Sequence, residues 1–143
     1  MFLVRKATAE DVTDVWDIVQ QSGLEVDGLP EIESFLIAET ESKELFGVIG
    51  LETFGTAGLL RALVLNSSQS TSERLLRFFD QVIQYAKKNK LDELYLTSSE
   101  ESFFFQVFGF STINVRDLPD HMKNNGVFTE QKNNRIIMRK RLV

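Results

Sequence analysis

The sequence predicts an α/β fold, a mixed α+β sheet flanked by helices, with about seven strands and three or four helices in one domain over residues 1–143. Three observations point there. Short apolar runs rich in β-branched and aromatic residues alternate with segments whose apolar residues recur at helical spacing. No repeat, low-complexity tract or linker interrupts that alternation. A chain of 143 residues, 43% hydrophobic and 26% charged, suits one core in water.

Phe2 to Lys6 reads as a first short strand. Thr8-Ala9-Glu10-Asp11 has the form of a capping box, Thr8 accepting from the backbone and Asp11 reaching back. The helix behind it is expected to bury Val12, Val15, Trp16 and Val19, and Gly23 can end it in a left-handed turn. "DGLPEI" reads as a loop with one helical turn. "SFLIAET" and "LFGVIGLETF", split by the polar "ESKE", form a hairpin with a loop rather than a tight glycine turn. "GLLRALVLN" is a strand apolar on both faces except at Arg61. Leu75, Leu76, Phe78, Phe79, Val82, Ile83 and Ala86 then follow helical spacing, with Lys87, Lys88 and Lys90 at the end where the dipole favours cations. "ELYLTS" is a strand, "ESFFFQVFGF" a short helix ending at Gly109, and "STINVRDL" a strand. "PDHMKNNGVFTEQKNN" reads as a polar loop before the terminal strand "RIIMRKRL".

Composition excludes several classes. A net charge of −5 argues against a general nucleic-acid backbone binder, and the basic "MRKRL" is expected as a solvated or edge-strand feature. The absence of cysteine removes disulfides and thiolate metal sites and fits a reducing cytoplasm. His121 is the only histidine, so no multi-histidine metal site is expected. "MFLVRKAT" is no signal peptide, and no run reaches the eighteen apolar residues of a membrane span.

The stretch "ALVLNSSQSTSERLLRFFDQV" has the layout of a phosphate site: strand, small-residue turn, helix start. It carries no glycine, so the same residues also read as a helix cap. Ser70-Thr71-Ser72-Glu73 forms a second capping box, Ser70 as cap and Glu73 answering.

The element order, the strand-turn-helix of residues 59 to 88, and "ELYLTSSEESFFFQVFGF" together resemble the GCN5-related N-acetyltransferase superfamily over the whole chain. The second segment carries the aromatic pair Phe104-Phe105 and the Gly109-Phe110 dipeptide found at that place in such enzymes. "FLIAE", "GVIGLETFG" and "GLLRALVL" resemble a subgroup associated with arsenic resistance, which acetylates small amino-acid-like compounds. The resemblance implies acetyl-CoA as cofactor and a small-molecule amine as acceptor. It implies that the strand Leu59 to Leu65 splays from "ELYLTS", and that pantetheine pairs with backbone near Leu63, Val64 and Leu65. The diphosphate would meet the helix start, Ser70, Thr71, Ser72, Glu73, Arg74 and Leu75. A base would take the amine's proton and an acid would protonate the leaving thiolate.

The key positions of the family's loop fall on Ser70, Glu73 and Leu75, where it has a glutamine or arginine, a glycine, and a glycine or alanine. A carboxylate about 4 Å from a diphosphate charge costs about 1 kcal/mol in water and roughly 4 kcal/mol at an effective dielectric of 20. Arg74 would offset part of this. Glu52 is the nearest candidate base; the other reading is a solvent-facing strand-end glutamate. Arg61 either clamps a substrate carboxylate or pairs with an acidic side chain such as Glu52. Phe105 stands where many members place an acidic tyrosine. Tyr95 is expected in the core with its hydroxyl satisfied, His121 in solvent, and Phe103 to Phe105 mainly as core packing. The leading function is a small-molecule N-acetyltransferase. The alternatives are a non-catalytic binding or regulatory module of the same fold, and a homodimer paired through an edge strand "RIIMRKRL"; monomer and homodimer both stay open.

Overall fold

The computed structural model describes residues 2–23, 29–66, 71–98, 102–125, 128 and 135–143. Among these the elements run β1 (Phe2–Lys6), α1 (Val12–Gln21), β2 (Phe35–Thr40), β3 (Leu45–Phe54), β4 (Ala57–Leu65), α2 (Ser72–Lys88), β5 (Glu93–Ser98), α3 (Phe103–Val107), β6 (Ser111–Ile113), α4 (Asp120–Lys123) and β7 (Ile136–Arg141). The strands form one mixed seven-stranded sheet in the order β1-β2-β3-β4-β5-β7-β6. β1, β2 and β3 pair antiparallel in turn, as do β5 with β7 and β7 with β6. β4 and β5 are parallel, and α2 is the crossover that such a pair requires. The β2–β3 hairpin, the long helix α2 and the strand "ELYLTS" fall where the sequence predicts them. No helix among the described residues is long and apolar enough to cross a membrane.

Contacts gather into two compact units, Met1–Glu52 with Leu60–Tyr85, and Thr53–Leu59 with Ala86–Val143. In the first, the Thr8 box forms: the Asp11 carboxylate accepts the Thr8 N–H at 2.7 Å. A short 3-10 turn, Ala9–Asp11, leads into α1, and Gly23 leaves it at φ +87°. α1 buries Val15, Ile18 and Val19, while Val12 and Trp16 are only half-buried. The apolar stripe is therefore rotated toward Ile18, and Trp16 lies at its margin, edge-on to Phe35 at 5.5 Å. These residues pack with Phe35, Ile37, Val48 and Val64. The next residue back on β3, Gly47, faces the other way: a Cβ there would meet Leu65 at 2.8 Å and Phe78 of α2 at 3.0 Å. Successive strand residues point to opposite faces, so α1 covers one side of β3 and α2 the other.

In the second unit, Ala57, Leu59, Tyr95, Leu118, Met122, Phe128 and Ile137 form a separate core. Two of its members, Met122 and Phe128, come from the segment expected as a polar loop. That segment contains α4, whose one apolar residue, Met122, is fully buried. The expected strand "STINVRDL" pairs only over Ser111–Ile113, then turns into a 3-10 helix at Val115–Asp117 because Asn114 and Asp117 cap each other. The basic terminal strand is not an edge. β7 lies between β5 and β6, not at the rim where the edge-strand expectation put it. The phenylalanine triplet is also split: Phe104 and Phe105 are half-buried, whereas Phe103 is 78% exposed. On a five-residue helix the three side chains fan through about 200°, which one apolar face cannot cover.

Candidate functional site

β4 is the strand around which the candidate residues gather. Its parallel register with β5 runs through Ala57, Gly58 and Leu59, opposite Glu93, Leu94 and Tyr95. Three residues later Ala62 has φ +56°, inside the strand. A left-handed residue costs an alanine about 1–2 kcal/mol, and in a strand it is the backbone conformation of a bulge position, departing from the extended geometry on either side. Nothing in "RALVL" announces it, since alanine is an ordinary strand residue and the signal for such a turn is normally glycine or asparagine. Leu63 and Leu65 beyond it are half-buried, and Val64 packs into the first unit's core.

Arg61 precedes the bulge. Its Nη1 donates to Glu52 Oε1 at 2.6 Å. The two side chains are 22% and 24% exposed, so both charges sit mostly out of water between apolar strands. This settles the partner left open in sequence: Arg61 meets Glu52, and Glu52 is neither isolated nor turned fully to solvent. The base of the pair is tightly packed. A Cβ on Gly50, two residues before Glu52 and on the same face, would lie 3.1 Å from Pro30 and 3.2 Å from the Arg61 carbonyl.

The start of α2 differs from expectation. Ser70 lies outside the described residues. Within them the cap is Thr71: its Oγ1 accepts the Arg74 N–H at 3.1 Å, and its carbonyl accepts the Leu75 N–H at 3.0 Å. Glu73 thus stands at the second helical position rather than the third. From there it pairs with Arg77 one turn on, at 3.0 Å, both side chains well exposed. Arg74 places its guanidinium 5.8 Å from the centre of the Phe46 ring. Ser72 is exposed and Leu75 half-buried.

In the second unit, Tyr95 is buried in the core as expected, and its hydroxyl donates to Glu93 Oε1 at 3.2 Å. Burial, with the Glu93 charge adding to it, pushes that hydroxyl's pKa up, so it stays protonated. His121 is exposed, its Nε2 3.1 Å from the Phe54 carbonyl, to which the protonated nitrogen donates. Phe105 packs edge-on to Phe104 at 5.3 Å and to Phe110 at 6.1 Å, an aromatic cluster in which Phe105 carries no hydroxyl. Sequence reading missed one charged group altogether. Arg5 Nε donates to Glu39 at 2.7 Å, while its Nη1 and Nη2 donate to both Asp11 oxygens at 2.9 Å. The clue was Asp11, already engaged as a cap next to an arginine in the neighbouring strand.

No protein-family model matches the chain, and no match is found among curated proteins. Solved structures do match. The N-acetylglutamate synthase of Neisseria gonorrhoeae, complexed with coenzyme A and N-acetyl-glutamate, superposes with a TM-score of 0.82 at 20% identity. That match covers all of this chain but 35% of the other, so the chain spans about a third of that enzyme's length. An acetyltransferase of the GNAT family from Staphylococcus aureus Mu50 gives 0.74 at 16% identity, with 100% of both chains covered. The PaiA N-acetyltransferase of Thermoplasma acidophilum, in complex with coenzyme A, gives 0.65 at 16% identity, with 99% of each covered. With its sheet order, its parallel β4–β5 pair and its crossover helix, this chain has the fold of the GCN5-related N-acetyltransferases.

Proposed function

We propose that the chain is a single-domain N-acetyltransferase that acetylates the amine of a small, amino-acid-like molecule with acetyl-CoA. The observation that carries this reading is the bulge at Ala62, set in a strand of this fold and followed by Leu63, Val64 and Leu65. A bulge takes the following peptide groups out of ladder register, and an extended amide-bearing arm such as pantetheine binds a strand through backbone groups of that kind.

Acetyl-CoA supplies the acetyl group as an activated thioester. The described residues fit its arm: Leu63 and Leu65 give apolar, half-buried walls beside the bulge. At the diphosphate end, the charge of Glu73 is offset by Arg77 at 3.0 Å, which removes much of the repulsion that the sequence predicts. Thr71, Ser72, Arg74 and Leu75 would line that end, with Ser70 beyond the described residues. Arg61 would hold an acceptor carboxylate through its fork of N–H donors. Glu52, beside it, would hold the amine's proton on its carboxylate. The neighbours bound to coenzyme A, one of them also to N-acetyl-glutamate, support the same chemistry.

A second reading, a non-catalytic binding or regulatory module, draws on the absence of a hydroxyl at Phe105 and on the bulk of Leu75 at the helix start. Melting curves and calorimetric titrations with CoA and acetyl-CoA separate the two. A ligand at one hundred times its Kd adds about 2.7 kcal/mol to stability, so a clear rise in Tm is expected. Flat melts and flat titrations at millimolar ligand would remove the acetyltransferase reading and leave the module.

A further inference from the structure

The end of α2 and the end of β7 meet, and their meeting gathers like charges. α2 closes with Lys90 in a left-handed conformation at φ +62°. The Lys90 N–H donates to the Lys87 carbonyl at 3.0 Å, and the Leu91 N–H to the Ala86 carbonyl at 3.1 Å. β5 then starts beside β7: Glu93 stands opposite Arg141, and the Leu142 N–H donates to the Asp92 carbonyl at 2.7 Å. Residues 87–93 and 139–143 thus lie together in the second unit. They hold six of the chain's 16 lysines and arginines but two of its 21 aspartates and glutamates. Lys87, Lys88, Lys90 and Arg141 are exposed, while Arg139 and Lys140 are half-buried on opposite faces of β7. Among the described residues, Glu93 is the one carboxylate paired with any of the six, at 3.8 Å from both Arg139 and Arg141. A helix end gains from cations in its last turn, but that gain is confined to the turn and asks nothing of a neighbouring strand. Cations brought together from two elements instead repel.

We propose that this basic end docks an acidic protein segment, a short extended run of aspartate and glutamate that crosses from the last turn of α2 to the end of β7. Size and surroundings choose that partner over other polyanions. Lys87 to Lys90 spans one helical turn, about 5 Å, and Arg139 to Arg141 spans two strand steps, about 7 Å. A run of about four extended residues, at about 3.3 Å each, is long enough to meet both. The rest of the chain carries ten cations against nineteen carboxylates, so a polyanion that reaches past the patch meets net repulsion. A nucleic acid, with a charge about every 1.7 Å over a long span, reaches past it, and so does an anionic membrane. A short acidic segment ends where the cations end. Screening over about 8 Å at physiological salt keeps the attraction local and shields the segment from the carboxylates elsewhere. The Arg141 fork takes a carboxylate in bidentate fashion, and each lysine takes a single oxygen. Docking here uses neither Arg61 nor the start of α2, so it stands whether or not the acetyltransferase reading holds.

The test uses the full chain and a fluorescein-labelled hexaglutamate peptide, followed by anisotropy at about 50 mM and about 300 mM salt. One variant combines Lys87→Gln, Lys88→Gln and Lys90→Gln. A second, of equal net charge, combines Lys6→Gln, Lys43→Gln and Arg116→Gln, all exposed residues elsewhere. At low salt the first should weaken the peptide about fivefold or more and the second less than about twofold. A retained Tm in the first shows that the loss is one of binding and not of fold. If its Tm falls, Lys88→Gln and Arg141→Gln singly carry the same comparison, each weakening the peptide more than Lys43→Gln does. A short DNA duplex and vesicles of phosphatidylserine and phosphatidylcholine serve as competing polyanions and should bind more weakly than the peptide at equal charge concentration. Equal weakening by the two triple variants, no peptide binding at low salt, or tighter binding of the duplex or the vesicles overturns the inference.

Discussion

Two arginines stand in the strands of the first unit, and they are held in different ways. Arg5, on β1, spreads its fork over two carboxylates: both oxygens of Asp11 at 2.9 Å and Glu39 at 2.7 Å. Asp11 is itself tied to the Thr8 N–H at the start of α1. That arginine joins a strand, its neighbouring strand and a helix entry in one network. Asp11 is correspondingly held down to about 2, chiefly by its hydrogen bonds to Arg5, while the Arg5 guanidinium is pushed well above its ordinary range. Arg61 meets Glu52 next to Ala62, among buried apolar residues, and the pair links two adjacent strands. The first arrangement secures the fold. The second holds two charges mostly out of water on adjacent strands.

Exchanging the two roles by mutation gives the largest effects. Arg61→Met is expected to lower kcat/KM for amino-acid acceptors about a hundredfold, roughly 3 kcal/mol of lost recognition, with a much smaller change in urea midpoint. Arg5→Met should invert that pattern. It leaves Asp11 and Glu39 facing each other in a half-dry site, costing about 2 kcal/mol of stability by urea unfolding, with KM unchanged. If Arg5→Met proves the more harmful to KM, the division between the two arginines is wrong.

Acid titration probes the first network by itself. The Asp11 pKa falls from 3.8 unfolded to about 2 folded, so its contribution is fully present above about pH 4 and is lost as pH drops through 2. That contribution amounts to up to about 2 kcal/mol. Asp11→Asn should lower stability at neutral pH and flatten the pH dependence between 4 and 2. Parallel acid curves for the two proteins would show that other groups govern that window.

The contrast also explains what could be read in advance. The hairpin, the long helix and the strand "ELYLTS" were legible because periodicity and turn chemistry agree locally. Gly23 was legible as a stop because its place just past the apolar stripe calls for a left-handed residue. α4 was not, since Met122 is its only apolar residue, and its burial depends on Ala57, Leu59, Tyr95 and Ile137, remote in the chain. Glu52 was one of the partners weighed for Arg61, because a charged residue within an apolar strand calls for an acidic partner. The Arg5 network needs the β1–β2 register, Arg5 opposite Ile37 with Glu39 two residues on, and single-sequence patterns do not supply register. Ser70, Thr71 and Ser72 are all good caps by residue type; among the described residues Thr71 caps α2, and Ser70 lies outside them.

Gly50 tests the rigid base under the second pair. Gly50→Ala puts a methyl 3.1 Å from Pro30 and 3.2 Å from the Arg61 carbonyl. One of these must shift, at about 1–2 kcal/mol of stability. A shift of the Arg61 backbone misplaces the guanidinium, so KM for amino acids should rise severalfold while Tm falls by a few degrees. Loss of Tm with an unchanged KM would mean that Pro30 alone gives way.

The smallest expected effect lies at the bulge itself. Ala62 at φ +56° bears a left-handed strain of about 1–2 kcal/mol that glycine does not. Glycine also raises the entropy of the unfolded chain, which takes back about 0.4–1 kcal/mol. Ala62→Gly should therefore stabilise the protein by about 0.5 kcal/mol, a small but measurable rise in urea midpoint. Ala62→Val works in the other direction, because a β-branched side chain tolerates that region worst, and about 1–2 kcal/mol should be lost. The two variants together separate backbone strain from packing. If both lower the midpoint, the methyl of Ala62 matters through its contact with the first unit's core rather than through the bulge. If they move it in opposite directions, the strain resides in the backbone next to Arg61, where the recognition site needs it.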